Sequence, residues 1–143
     1  MSSPLPQDLA RFLQHLSRQG SREICGFIFG DPWEIVDIDN VAPGDGDFEM
    51  HHGQTQEQYM RWDAGRMVGV YHSHPGGTNF PSDNDIRHAP WGLRYWVVTD
   101  TAVTEWTFDD KPTGKRSAHL VDAVPHVPAG QGQAVDCGAG TGR

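Results

Sequence analysis

The chain has only two cysteines among its 143 residues. Cys25 lies inside an apolar run and Cys137 in a glycine-rich tail. Two such residues make neither a disulfide scaffold nor a thiolate zinc site. Basic residues are also scarce: lysine plus arginine number 11 against 19 aspartate plus glutamate, a formal charge of -8. That balance excludes a nucleic-acid partner, which needs a basic face. It suits a protein that handles neutral or basic polypeptide. No stretch approaches the ~20 apolar residues of a membrane span, so no membrane partner is expected. The opening Met1 to Pro6 lacks the basic start and apolar run of a signal peptide, so a cytoplasmic setting is expected. What the chain does have is eight histidines, an invitation to look for metal ligands.

Residues 5–19 predict a helix, with Leu5, Leu9, Phe12, Leu13 and Leu16 on one face of a 3.6-residue period. The run from Glu23 to Phe29 predicts a strand, stopped by Gly30-Asp31-Pro32. A partner strand follows over Trp33 to Asp39. After a loop from Asn40 to Asp47 comes a short strand over Phe48 to His51, then a helix from Thr55, as cap, to Arg66. Met67 to His74 is a further strand, and Pro81-Ser82 opens a short helix ending near Ala89. Leu93 to Thr99 and Ala102 to Phe108 are two more strands around a turn at Asp100. This order predicts one α/β domain, a mixed sheet flanked by helices, over residues 1–110. Residues 111–143 contain six glycines, three prolines and no aromatic residue. They are expected to give at most an edge strand, His119 to Val124, and then a disordered tail.

The informative segment is Tyr71 to Asp85. Residues two apart on a strand face the same way, so His72 and His74 lie side by side, in a row with Val68 and Val70. That row leaves the core at the strand end, where an ion can be both held and reached. Asp85, just inside the next helix, can supply an oxygen. Two imidazoles and a carboxylate leave one tetrahedral position open, as in a catalytic zinc site. Hydrolysis then needs a base and an oxyanion donor. Glu23, at the mouth of a strand expected beside the histidines, is the candidate base, and the Ser82 hydroxyl the candidate donor. Plainer roles compete for each residue. Ser82-x-x-Asp85 after a proline is an ordinary helix start. Glu23 alone is a solvated residue before a strand. His51-His52 face opposite ways and line a loop; His15 and His88 are surface helix residues, and His119 and His126 belong to the tail. Cys25 is expected to be an inert buried thiol. Asp83 caps or solvates its helix. The five tryptophans are expected mostly in the core, Trp33 and Trp62 being the most exposed.

Glu23-x-Cys25-Gly26, then His72-Ser73-His74, then seven residues beginning with Pro75 to Ser82-x-x-Asp85, resembles the JAMM (MPN-plus) metalloprotease motif. The resemblance covers roughly residues 5 to 108. It implies the JAMM/MPN, cytidine-deaminase-like architecture and a zinc-dependent peptidase or isopeptidase. His72, His74 and Asp85 would be its ligands, Glu23 its acid/base and Ser82 the oxyanion or water partner. The unadorned chain is similar to bacterial and phage members, and Trp91 to Trp106 looks like phage tail-assembly proteases, although the second, cell-wall-cleaving domain that many of those carry is not expected in these residues. The implied substrate is a ubiquitin-like or sulfur-carrier protein, or a phage tail protein, in a bacterial or phage-infected cell. Two alternatives stay open: a non-catalytic tail-assembly or binding component that keeps zinc for stability, and hydrolysis or deamination of a small molecule.

Overall fold

The computed structural model describes residues 3–20, 22–44, 48–110 and 116–125. The chain runs α1 (Gln7–Ser17), β1 (Cys25–Phe29), β2 (Glu34–Ile38) and α2 (His52–Tyr59). A single 3-10 turn (Ala64–Arg66) leads into β3 (Met67–Ser73), α3 (Asp83–His88), β4 (Arg94–Val98), β5 (Ala102–Asp110) and β6 (Arg116–Pro125). The six strands form one sheet in the order β2-β1-β3-β4-β5-β6. Only β3 and β4 pair in parallel, joined by the crossover that carries α3. The mixed α/β sheet expected from the sequence is therefore present.

Alternation along the strands gives the sheet two apolar faces. Phe27, Phe29, Val70, Tyr95 and Val97 point to one. Ile28, Tyr71, Trp96 and Val98 point to the other, where Leu5, Ala10 and Leu13 cover them. Each fully buried large side chain contributes roughly 1.5–3 kcal/mol relative to exposure. Gly26 has no room for a side chain, because an added Cβ would collide with the Val36 carbonyl and the Tyr71 ring.

Several local expectations are corrected. α1 buries Ala10, Leu13, Gln14 and Ser17, whereas Phe12 is exposed. Leu5 and Leu13 are buried and Leu9 packs against the same cluster, as expected, and the buried Gln14 amide donates to the Thr99 carbonyl at 2.7 Å. Val68 does not share a row with Val70. Phe29 pairs with Met67 and Ile28 with Gly69, so a bulge turns Val68 to the α1 side. Phe48 to His51 forms only an isolated bridge, Met50 with Asn40. The second helix starts earlier than Thr55 because the His51 ring caps it, Gln54 N donating to His51 Nδ1 at 3.1 Å, and it ends at Tyr59, short of Arg66. The strand expected over His119 to Val124 is longer, Arg116–Pro125, so His119 sits in the sheet and not in a tail. Only Trp96 and Trp106 are buried; Trp91 is exposed along with Trp62. The expected disorder after Pro125, with His126 and Cys137, lies outside the described residues. Among the described residues no helix is long and apolar enough to cross a membrane.

Candidate metal centre

The C-terminal end of β3 is held on both sides. Ser73 N donates to the Ile24 carbonyl at 3.0 Å, and Ile24 N donates to Ser73 Oγ at 2.9 Å. One residue on, His74 N donates to the Val98 carbonyl at 2.9 Å. These bonds extend the strand just past its last ladder pair and fix the backbone that carries both imidazoles. His72 is fully buried. Phe48 stacks on its ring at 4.4 Å and Tyr95 meets it edge-on at 5.3 Å.

Asp85 is fixed by the first turn of α3. Its amide donates to Ser82 Oγ at 3.1 Å, and Ser82 N donates to Asp85 Oδ2 at 2.9 Å, a reciprocal capping box. The local helix start and the aiming of the Asp85 oxygen at the two imidazoles are thus one feature, so capping does not compete with a place in the cluster.

Three donor atoms converge. His72 Nε2 and His74 Nε2 are 2.9 Å apart. Asp85 Oδ2 lies 3.1 Å from the first and 3.0 Å from the second. The Thr78 carbonyl, 2.9 Å from His74 Nδ1, can only accept, so Nδ1 carries a proton and a neutral His74 presents its Nε2 lone pair inward. That lone pair faces a carboxylate oxygen and a second ring nitrogen. Such a cluster is repulsive unless a proton or a cation sits within it. Ligand atoms on a tetrahedral zinc, with bonds of roughly 2.0–2.1 Å, are about 3.3 Å apart. The observed spacings need to open by only a few tenths of an ångström, so these residues fit a divalent ion.

The electrostatics agree. Burial alone would raise the Asp85 pKa, but hydrogen bonds from His72 and His74, the His72 charge and the Ser82 amide hold it far below the usual carboxylate range. Burial opposes a charged His74, yet Asp85 and the Thr78 carbonyl outweigh it and shift that imidazole upward. Asp85 is therefore an anion at any ordinary pH, poised for a cation.

Glu23 is buried immediately before β1. Its carboxylate and the ring nitrogens of His72 and His74 lie within 4.8 Å of one another, a group able to hold a metal ion. Two three-residue sets thus share the histidines. The Asp85 set is the tighter, with every pair at hydrogen-bonding distance, and it leaves Glu23 overlooking the centre. Asn40 steadies Glu23 from behind, its Nδ2 donating to the Glu23 carbonyl at 2.9 Å. Ser82 is exposed, with its hydroxyl oxygen engaged in the cap.

The other candidates stay apart from the centre. Burial, then the charges of Asp37, Glu23 and Asp39, push the Cys25 thiol up to about 12, so it is no nucleophile. His15, His88 and His119 are exposed and bonded to Gln19, the Asn84 carbonyl and Asp109. Asp83 is exposed in the first turn of α3. Phe48, Asn40, Thr78 and Tyr95 also support the cluster, and no local sequence pattern marks them. Tyr95 is legible only once β3 and β4 are in register, Val70 opposite Tyr95.

A model of the family described as prokaryotic homologs of the JAB domain matches residues 6–109. The chain belongs to this family. The match takes in every element that builds the centre, from Glu23 before β1 to Asp85 in α3. Among curated proteins none matches the chain. This JAB domain thus combines the JAMM/MPN fold with a histidine and carboxylate cluster able to hold a metal ion.

Proposed function

We propose that this JAB domain is a zinc-dependent peptidase or isopeptidase. The observation that carries the reading is the convergence of His72 Nε2, His74 Nε2 and Asp85 Oδ2 within 3.1 Å of one another, with the buried Glu23 carboxylate beside them. His72, His74 and Asp85 would hold the ion. Nitrogen and oxygen donors of this kind suit zinc. When bound, zinc brings the pKa of a water toward ~7 and polarises the scissile carbonyl.

The remaining work falls to the chain's own residues. The Glu23 carboxylate accepts the water's proton and delivers it to the departing amine nitrogen. Its position beside the histidines supports that assignment. The Ser82 oxygen accepts from the Asp85 amide, which leaves its hydroxyl proton available to donate to the developing oxyanion. The Thr78 carbonyl keeps His74 in its ligating tautomer. Phe48 and Tyr95 shield His72 from solvent. The acidic chain favours a neutral or basic polypeptide, and the motif resemblance directs attention to ubiquitin-like carrier proteins and phage tail proteins.

The test is mass spectrometry of products after the zinc-loaded chain is mixed with sulfur-carrier fusions and tail proteins. A single defined cut that disappears with chelator and returns with zinc is the expected result. Stoichiometric zinc with no cleavage of any polypeptide would favour a non-catalytic zinc-bearing component and defeat the proposal.

A further inference from the structure

A cavity of about 520 Å³ opens directly beside the metal centre. Asp85 and Tyr95 form one wall, and Phe27, Val70, Met50 and Tyr59 form much of the rest. The volume falls within the range of small-ligand sites, roughly 300–1,000 Å³. The cavity adjoins the centre through shared residues. Asp85 belongs to both, and Tyr95 both lines the cavity and touches the His72 ring. Phe48 also lines the cavity and stacks on that ring.

We infer that this cavity seats a large apolar side chain of the substrate, on a residue next to, or next but one to, the bond that is cut. The inference rests on the peptidase reading above and extends it to substrate class. An extended residue advances about 3.5 Å along its chain. A side chain packed against Asp85 therefore belongs to a residue close to whatever is held at the centre. The lining chemistry selects its type. Among the described residues no lysine or arginine lines the cavity; Glu49 and Asp85 do, with His88 and Asn84 as the other polar groups, so two carboxylates oppose an acidic side chain. A basic one would lose its water against Phe27, Val70 and Tyr95. Asp85 offers it little return, because both imidazoles already engage that carboxylate. Glycine or alanine would leave the cavity walls without contacts. Leucine, phenylalanine or methionine fills the space and buries apolar surface on both sides.

The zinc-loaded full chain can be titrated with the N-acetyl amides of phenylalanine, leucine, lysine, glutamate and glycine, followed by NMR. The phenylalanine and leucine amides are expected to bind at least tenfold more tightly than the other three, shifting Val70 and Tyr95 signals. Thr55→Trp fills the cavity from α2, a helix that buries none of its residues. It should keep zinc and the thermal midpoint while weakening the phenylalanine amide at least tenfold. Tyr59→Ala, which removes an exposed part of the wall, should weaken the same probe at least threefold and covers the case in which Thr55→Trp misfolds. Equal binding of the lysine amide, no binding of any amide, or unchanged affinity in whichever of the two variants folds would overturn the inference. A peptide-library digest separates it from the reading beneath it. Cleavage without preference for a nearby large apolar residue defeats the cavity's role and leaves the peptidase. Apolar binding with no peptide cleaved defeats the peptidase and leaves the cavity as a binding site.

Discussion

The two ends of β3 each gather partly buried charge, but in opposite ways. At the start of the strand, Asp63 and Glu34 face Arg61 and Arg66. Arg61 Nη2 lies 2.8 Å from Asp63 Oδ2 and 3.1 Å from Glu34 Oε1, and Arg66 engages the same two carboxylates. Two cations meet two anions there, and the Arg61 guanidinium lies 4.2 Å over the Phe29 ring. Hydrogen bonds from Arg61, then Arg66, pull the Asp63 carboxyl down to about 2. At the far end, a ring lone pair, a second ring nitrogen and a carboxylate oxygen point at one another with no arginine or lysine between them. The first cluster is saturated and tethers the 3-10 turn to β2. The second needs a proton or a cation at its middle. Side-chain charge alone does not mark a site; convergence of acceptors on a common point does.

Substitutions at the two ends should therefore separate binding from stability. The largest effect is expected at the far end. Asp85→Ala or His74→Ala should lower zinc affinity at least ~100-fold, more than loss of a supporting hydrogen bond does, as measured by competition with a chromophoric chelator. Glu23→Gln should keep one zinc per chain and lower kcat by ~10²–10⁴, the range for a lost general base. Normal turnover in that variant would remove Glu23 from the mechanism. Ser82→Gly should cost only a few tenths of a kcal/mol as a cap change, yet lower kcat ~10²–10³-fold as an oxyanion donor is lost. A loss confined to stability would return Ser82 to capping alone. Asp63→Asn, at the saturated end, should lower the thermal midpoint by several degrees and leave zinc content and kcat unchanged. A change in zinc affinity there would erase the contrast between the two ends.

The smallest effect is in the metal-free chain's dependence on pH. His74 is shifted upward, so its contribution to stability is full below the unfolded imidazole value of about 6.5 and fades as pH rises through its folded value. Asp85 is shifted downward, so its contribution is full above about 4 and fades as pH falls. A stability plateau between roughly pH 4 and 6.5, flattened at its alkaline edge by His74→Ala, is expected in thermal melts. Adding zinc should move that edge, since the metal competes with the His74 proton.

Much of this centre was legible in the chain because its parts are short-range. His72 and His74 share a strand face by the two-residue period, and Ser82-x-x-Asp85 is a helix start whatever else it does. Glu23 required one long-range assumption, that β1 neighbours β3, and the apolar run supported it. The misses have a common physical origin. The burial of Gln14 rests on the distant Thr99 carbonyl, the Val68 row on a bulge between β1 and β3, and the α2 start on a histidine acting as cap. Phe48 and Tyr95 reach His72 from segments far apart in sequence, so no local pattern marks them. The β6 pairing with β5, from Ala102–Pro125 to Asp110–Arg116, is carried by backbone bonds that a weakly apolar strand does not advertise.

The most direct measurement is a crystal structure of the zinc-loaded chain with anomalous diffraction at the zinc edge. The account predicts one peak about 2.0–2.2 Å from His72 Nε2, His74 Nε2 and an Asp85 carboxylate oxygen, with Glu23 outside the coordination shell. A zinc ligated by Glu23 in place of Asp85, or no peak near both imidazoles, would contradict it.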